Sequence, residues 1–135
     1  MSYNEQAIEN KHYSDLARRL EQYIAPVFQQ AAEQASRQGV ASQVQQDTTG
    51  LPYHLAVHAI HPDSGKMNHY RLSAHPLENR VTYETHDARS GETWQEVAPL
   101  AALNEKVVDT GLEAFYRELF GLRLELFSRR HPIGF

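Results

Sequence analysis

The sequence predicts an α+β fold, a two-layer sandwich with a long N-terminal helix and a C-terminal helix packed on one face of a four- to five-stranded antiparallel meander. Three observations predict it. Residues 1–38 carry apolar side chains at helical spacing, residues 40–97 break into short alternating segments between turn clusters, and residues 98–127 return to helical spacing. The 135 residues form a single domain on this reading, with 128–135 as a tail.

The first helix opens on Ser2 and Glu5, which have the spacing of a capping box. Its apolar stripe runs through Leu16, Leu20, Tyr23, Val27 and Ala31, widened by Ile24 and Phe28. Asp15 and Arg19 read as an i,i+4 pair on the polar side. Pro26 lacks the N–H that would close the preceding turn, so a kink is expected near residues 22–26, or else a split into two helices. Gly39 is placed to end the run in the left-handed conformation.

Four turn-like clusters, at 47–50, 62–65, 76–79 and 88–91, then separate candidate strands at 40–46, 53–61, 66–75, 80–87 and 92–97. Connections this short join antiparallel neighbours. Pro99 suits the first turn of the second helix, whose apolar positions are Leu100, Leu103, Val107, Ala114, Leu119 and Leu122, joined by Leu112 and Phe115. Gly111 lies inside that pattern, and Thr110 with Glu113 has capping spacing, so a break and restart is expected there. Leu122, Leu124 and Leu126 fit a helix or a strand equally.

Side chains alternate across a strand, which sorts the segments into two faces. One face collects Tyr53, Leu55, Val57, Ala59, Tyr70, Leu72, Ala74, Val81, Tyr83 and Thr85, and is the core face that the helices cover. The other holds His54, Ala56, His58, Ile60, Met67, His69, Arg71, Ser73, His75, Arg80, Thr82, Glu84 and His86. Four-residue loops at 62–65 and 76–79 would set His58 opposite His69, His69 opposite His86 and Arg71 opposite Glu84. The opposite charges of that last pair support the register. A slip of one residue in either hairpin would dissolve the row.

A row of His58, His69 and His86 admits two readings. Imidazole is a preferred ligand of zinc, copper and nickel, and three of them would leave a coordination position for water, with Glu84 near enough to orient a ligand or act as base. Neighbouring strands lie ~4.8 Å apart, so the outer two side chains would have to converge strongly on the middle one. The bland reading is a solvated or partner-covered sheet face, on which His54, Ile60, Met67, Arg71 and Glu84 would meet a protein, with association sensitive to pH near 6. No compact metal motif, glycine-rich phosphate loop or nucleophile elbow occurs, so chemistry has no second signal behind it. Trp94 and the seven tyrosines read as core and rim residues rather than as a ligand cage.

Composition narrows the field. The absence of cysteine removes disulfides, thiolate metal sites and a thiol nucleophile. A net charge of −4 argues against nucleic-acid binding, since the only basic cluster is Arg129-Arg130 with His131. No stretch reaches the ~20 apolar residues of a membrane span, and no export signal is visible, which makes the cytoplasm the expected location. Size, acidic charge and the helix–sheet–helix order resemble those of small bacterial secretion chaperones, a likeness of architecture that carries no site across. The expected function is a non-enzymatic interaction protein, chaperone-like and homodimeric, that binds a protein partner through the open sheet face or a helix. No cofactor is expected, with a divalent metal on the histidine row, in a metal-binding protein or metal-dependent hydrolase, as the alternative.

Overall fold

The computed structural model describes residues 13–124. The expected Ser2–Glu5 cap and the tail at 128–135 lie outside the described residues, as does the stretch 125–127. Helix enters at residues 13–19, passes through a π-helical turn at Leu20–Ile24 and continues as α1, Ala25–Arg37. Five strands follow: β1 Ser42–Asp47, β2 Tyr53–Ile60, β3 Met67–His75, β4 Arg80–Asp87 and β5 Glu92–Pro99. A 3₁₀ turn at Leu100–Ala102 leads to α2, Glu105–Phe120.

The expected disturbance at Pro26 is present, as a π turn just before it. The N–H of Ala25 reaches the carbonyl of Leu20, five residues back. One extra residue in that turn shifts the phase of the apolar stripe. Leu20, Ile24 and Val27 are buried, whereas Tyr23, expected in the stripe, is 55 % exposed. The ion pair on the polar side is Arg18–Asp15 at 3.7 Å, one residue from the expected Arg19 partner, and both side chains are largely exposed. Gly39, at φ 97°, ends α1 in a Schellman arrangement, with Gly39 donating to Ser36 and Val40 to Ala35.

All strands pair with their sequence neighbours in the order β1-β2-β3-β4-β5, antiparallel throughout. The loop at 62–65 closes as expected. His61 donates to Lys66, and Gly65, at φ 70°, donates back to His61. The second loop is a 3₁₀ turn, Pro76–Glu78, followed by Asn79 in the left-handed region, and His75 faces Arg80 across it.

Several boundaries differ from expectation. Pro99 closes β5 opposite Arg80 instead of opening a helix, because pairing with β4 holds the chain extended to that point. The second helix then starts at Asn104, whose side chain accepts from the N–H of Val107 at 2.9 Å. It runs unbroken through Gly111, and Thr110 donates back to the carbonyl of Lys106 instead of capping a restart. Gly121, at φ 65°, ends the helix, and residues 121–124 are neither helix nor strand.

The core lies between the helices and the predicted apolar face. Leu55, Val57, Leu72, Ala74 and Val81 are fully buried against Leu20, Val27, Phe28 and Ala31 of the first helical run and Val108, Leu112, Phe115 and Tyr116 of α2. Val107, expected in that stripe, is 40 % exposed, and its neighbour Val108 takes the buried position. The Tyr116 hydroxyl donates to Ser42 at 2.8 Å, tying α2 to the start of β1, and the His61 ring stacks on Phe120 at 5.5 Å. The helices cover β1 to β4, while every residue of β5 except Ala98 is exposed.

Candidate functional site

Each strand sends alternate side chains away from the helices, and the register assembles them into rows. One row reads Gln43, His58, His69, His86 and Thr93 across the five strands. The next reads Gln45, Ala56, Arg71, Glu84 and Gln95, and the third Asp47, His54, Ser73, Thr82 and Val97. His58, His69 and His86 therefore stand side by side, as the alternation and loop lengths predict.

Their rings lie side by side, one pair stacked and one tilted, instead of converging. His69 and His86 lie 5.4 Å apart at 20°, and His58 and His69 lie 5.7 Å apart at 54°. The nitrogens are engaged sideways. His58 Nε2 donates to Gln45 Oε1 at 3.0 Å, His69 Nε2 donates to Glu84 Oε2 at 2.6 Å, and His86 Nδ1 bonds to Thr93 Oγ1 at 2.7 Å. A metal needs lone pairs aimed at one point ~2 Å away, and these nitrogens are turned to three different partners, Gln45, Glu84 and Thr93. Among the described residues, no group of three or more His, Cys, Asp or Glu side chains is arranged to hold a metal ion.

Glu84 is the centre of this face. Its Oε2 accepts from both His69 and Arg71 Nη2, the latter at 2.8 Å, and its Oε1 accepts from Gln95 Nε2 at 3.1 Å. Burial by itself would raise the Glu84 pKa. The hydrogen bonds from His69 and Gln95, with the charges of Arg71 and His69, outweigh burial and hold the carboxyl below its usual value. His58 is shifted down by burial, then by His69 and Arg71. His54 is shifted down by burial and by Arg71 and His75, against the opposing pull of Asp47. Both therefore favour the neutral imidazole.

Beside this network the face is concave. A depression of about 490 Å³ is lined by Gln45, Asp47, His54, Ala56, His58 and Arg71. Arg71 Nε is buried, with no hydrogen-bond partner among the described residues. At the hairpin end, Ile60 and Met67 face each other at 39 % and 54 % exposure. The predicted contact residues His54, Ile60, Met67, Arg71 and Glu84 thus share one continuous surface.

Serine chemistry is poorly served here. Ser73 Oγ lies 2.9 Å from His54 Nδ1, but the serine is only 7 % exposed and sits inside a central strand whose backbone donors serve the ladder. The roles of Gln45 and Gln95 were missed from sequence. Continuing the alternation onto β1 and β5 places both in the Arg71–Glu84 row, so the signal was present. Comparison with protein-family models, curated proteins and solved structures returns no match for this chain.

Proposed function

We propose that the protein is a non-enzymatic interaction protein that binds a protein partner through the open face of its sheet. The observation that carries this reading is the Glu84 network. A five-stranded face that no helix among the described residues covers holds its polar side chains fixed by cross-strand hydrogen bonds around one carboxylate, beside the exposed Ile60–Met67 pair. Side chains already ordered in the free protein lose little rotamer entropy on binding, which favours association over a mobile polar surface of equal area. The apolar pair supplies desolvation energy at one end. A second copy of this chain is one such partner, and chaperone-like binding of another protein is the other.

Photo-crosslinkers replacing Ile60 or Gln95 on the open face, and Glu33 on the exposed side of α1, test the surface inside cells. The reading requires a discrete adduct from the two sheet positions, absent from Glu33 and lost when Glu84→Lys is added. An adduct at twice the protein mass identifies the partner as a second copy, which sedimentation of the purified protein then measures. Equal adducts from Glu33 and the sheet positions would overturn the assignment to this face.

A further inference from the structure

On the helix side, β5 extends past the edge of α2. Trp94 and Glu96 pair with Thr85 and Tyr83 across the ladder and so point toward the helices, yet both are exposed. Between them and α2 lies a pocket of about 120 Å³ lined chiefly by Tyr70, Tyr83, Trp94, Glu96, Phe115 and Glu118. That volume corresponds to roughly four waters, the size of a small head group. A wider groove of about 380 Å³ runs on along α2 past Lys106 and Thr110, and Lys106 lines this outer groove only.

Three features of the pocket point to one ligand chemistry. Tyr83 is 7 % exposed, and its hydroxyl oxygen is buried with no hydrogen-bond partner among the described residues. Burial, and then Glu96, push the Tyr83 hydroxyl up to about 12, so it stays a neutral phenol whose oxygen can accept a hydrogen bond. Trp94 offers an indole that is 39 % exposed, and indole is the strongest cation-binding aromatic. Among the described residues, Glu96 is ion-paired with no cation and Glu118 has only Arg117 at 4.0 Å. Carboxylates repel an anion, and a buried hydroxyl without a partner disfavours an apolar guest.

We propose that the pocket between α2 and β5 binds an organic cation, an ammonium or guanidinium head group. Glu96 supplies the counter-charge, Trp94 the aromatic wall and the Tyr83 hydroxyl an acceptor. The same head group comes either from a free amine or from a lysine or arginine side chain of another protein. The site lies across the sheet from the Glu84 face and stands whether or not that face binds a partner.

Trp94 is the only tryptophan, so its fluorescence and its indole N–H resonance report on this pocket. Titrations with butylammonium and butylguanidinium should shift both signals saturably, while sodium butyrate at equal ionic strength should not. Glu96→Gln, at an exposed strand position, should weaken binding at least tenfold with the fold intact, and Tyr83→Phe should weaken it several-fold. Glu118→Gln on the exposed side of α2 gives a second reading of the same charge. Acetyl-Gly-Lys-Gly-amide and acetyl-Gly-Arg-Gly-amide separate the sources: tighter binding of a peptide identifies a protein side chain, tighter binding of the alkyl cation a free amine. A response to butyrate equal to that of the cations, no saturable shift with any cation, or unchanged affinity in both Glu variants would overturn the proposal.

Discussion

Glu84 accepts hydrogen bonds from three side chains on two neighbouring strands while only 13 % exposed, so its removal leaves several donors unanswered at once. Glu84→Gln keeps the shape and loses the charge, and should cost about 1.5 kcal/mol of stability in urea unfolding. Arg71 is 42 % exposed, and water screening there keeps the loss below that of a fully buried pair. Tyr83 presents the opposite case. Its buried hydroxyl has no partner among the described residues, so Tyr83→Phe should raise the unfolding free energy of the ligand-free protein in urea, on the order of 0.5–1 kcal/mol. The row of His58, His69 and His86 was legible in the sequence because alternation and two loop lengths fix a register. The directions of the ring nitrogens were not, because they depend on rotamers chosen by Gln45, Glu84 and Thr93.

Gly111 shows an element overriding its own propensity. Alanine would favour an isolated helix by about 1 kcal/mol, but here its Cβ would lie 2.0 Å from the Tyr70 hydroxyl oxygen and 2.8 Å from Tyr70 Cζ. Gly111→Ala should therefore destabilise by roughly 1–3 kcal/mol, and Tyr70→Phe in the same chain should recover part of the loss, as a double-mutant cycle would register. At the start of α2, Asn104→Ala removes the acceptor for Val107 and should cost about 1 kcal/mol in thermal unfolding. The same helix marks the limit of sequence reading. Pro99 has the right residue type for a helix start, yet nothing local says that Arg80 will hold it extended, and Thr110–Glu113 mimics a cap that Asn104 supplies six residues earlier. The existence and type of each element follow from periodicity, whereas the boundaries are settled by pairing partners distant in sequence.

Across the whole molecule, acid acts in two windows. His54 and His58 titrate lower in the fold than their ordinary 6.5, so the unfolded chain binds protons first. Their contribution is full above 6.5 and is lost as pH falls through their folded values. Glu84, held below 4.5, contributes above that value and loses its share as pH drops further. Unfolding free energy measured by urea should therefore decline as pH falls below 6.5 through the folded values of the two histidines, and decline again below 4.5. His58→Gln should flatten the first step and Glu84→Gln the second. The sequential strand order has a consequence of another kind, in the order of synthesis. Each hairpin can close as soon as its second strand leaves the ribosome, but Tyr70 meets Phe115 of α2 only after about residue 120 has been made. At 5–20 residues per second, roughly, that leaves the apolar side of a finished sheet covered by the first helical run alone for a second or more. A nascent chain halted near Asn104 should be cleaved by protease within β3 and β4, and one extended past Gly121 should resist.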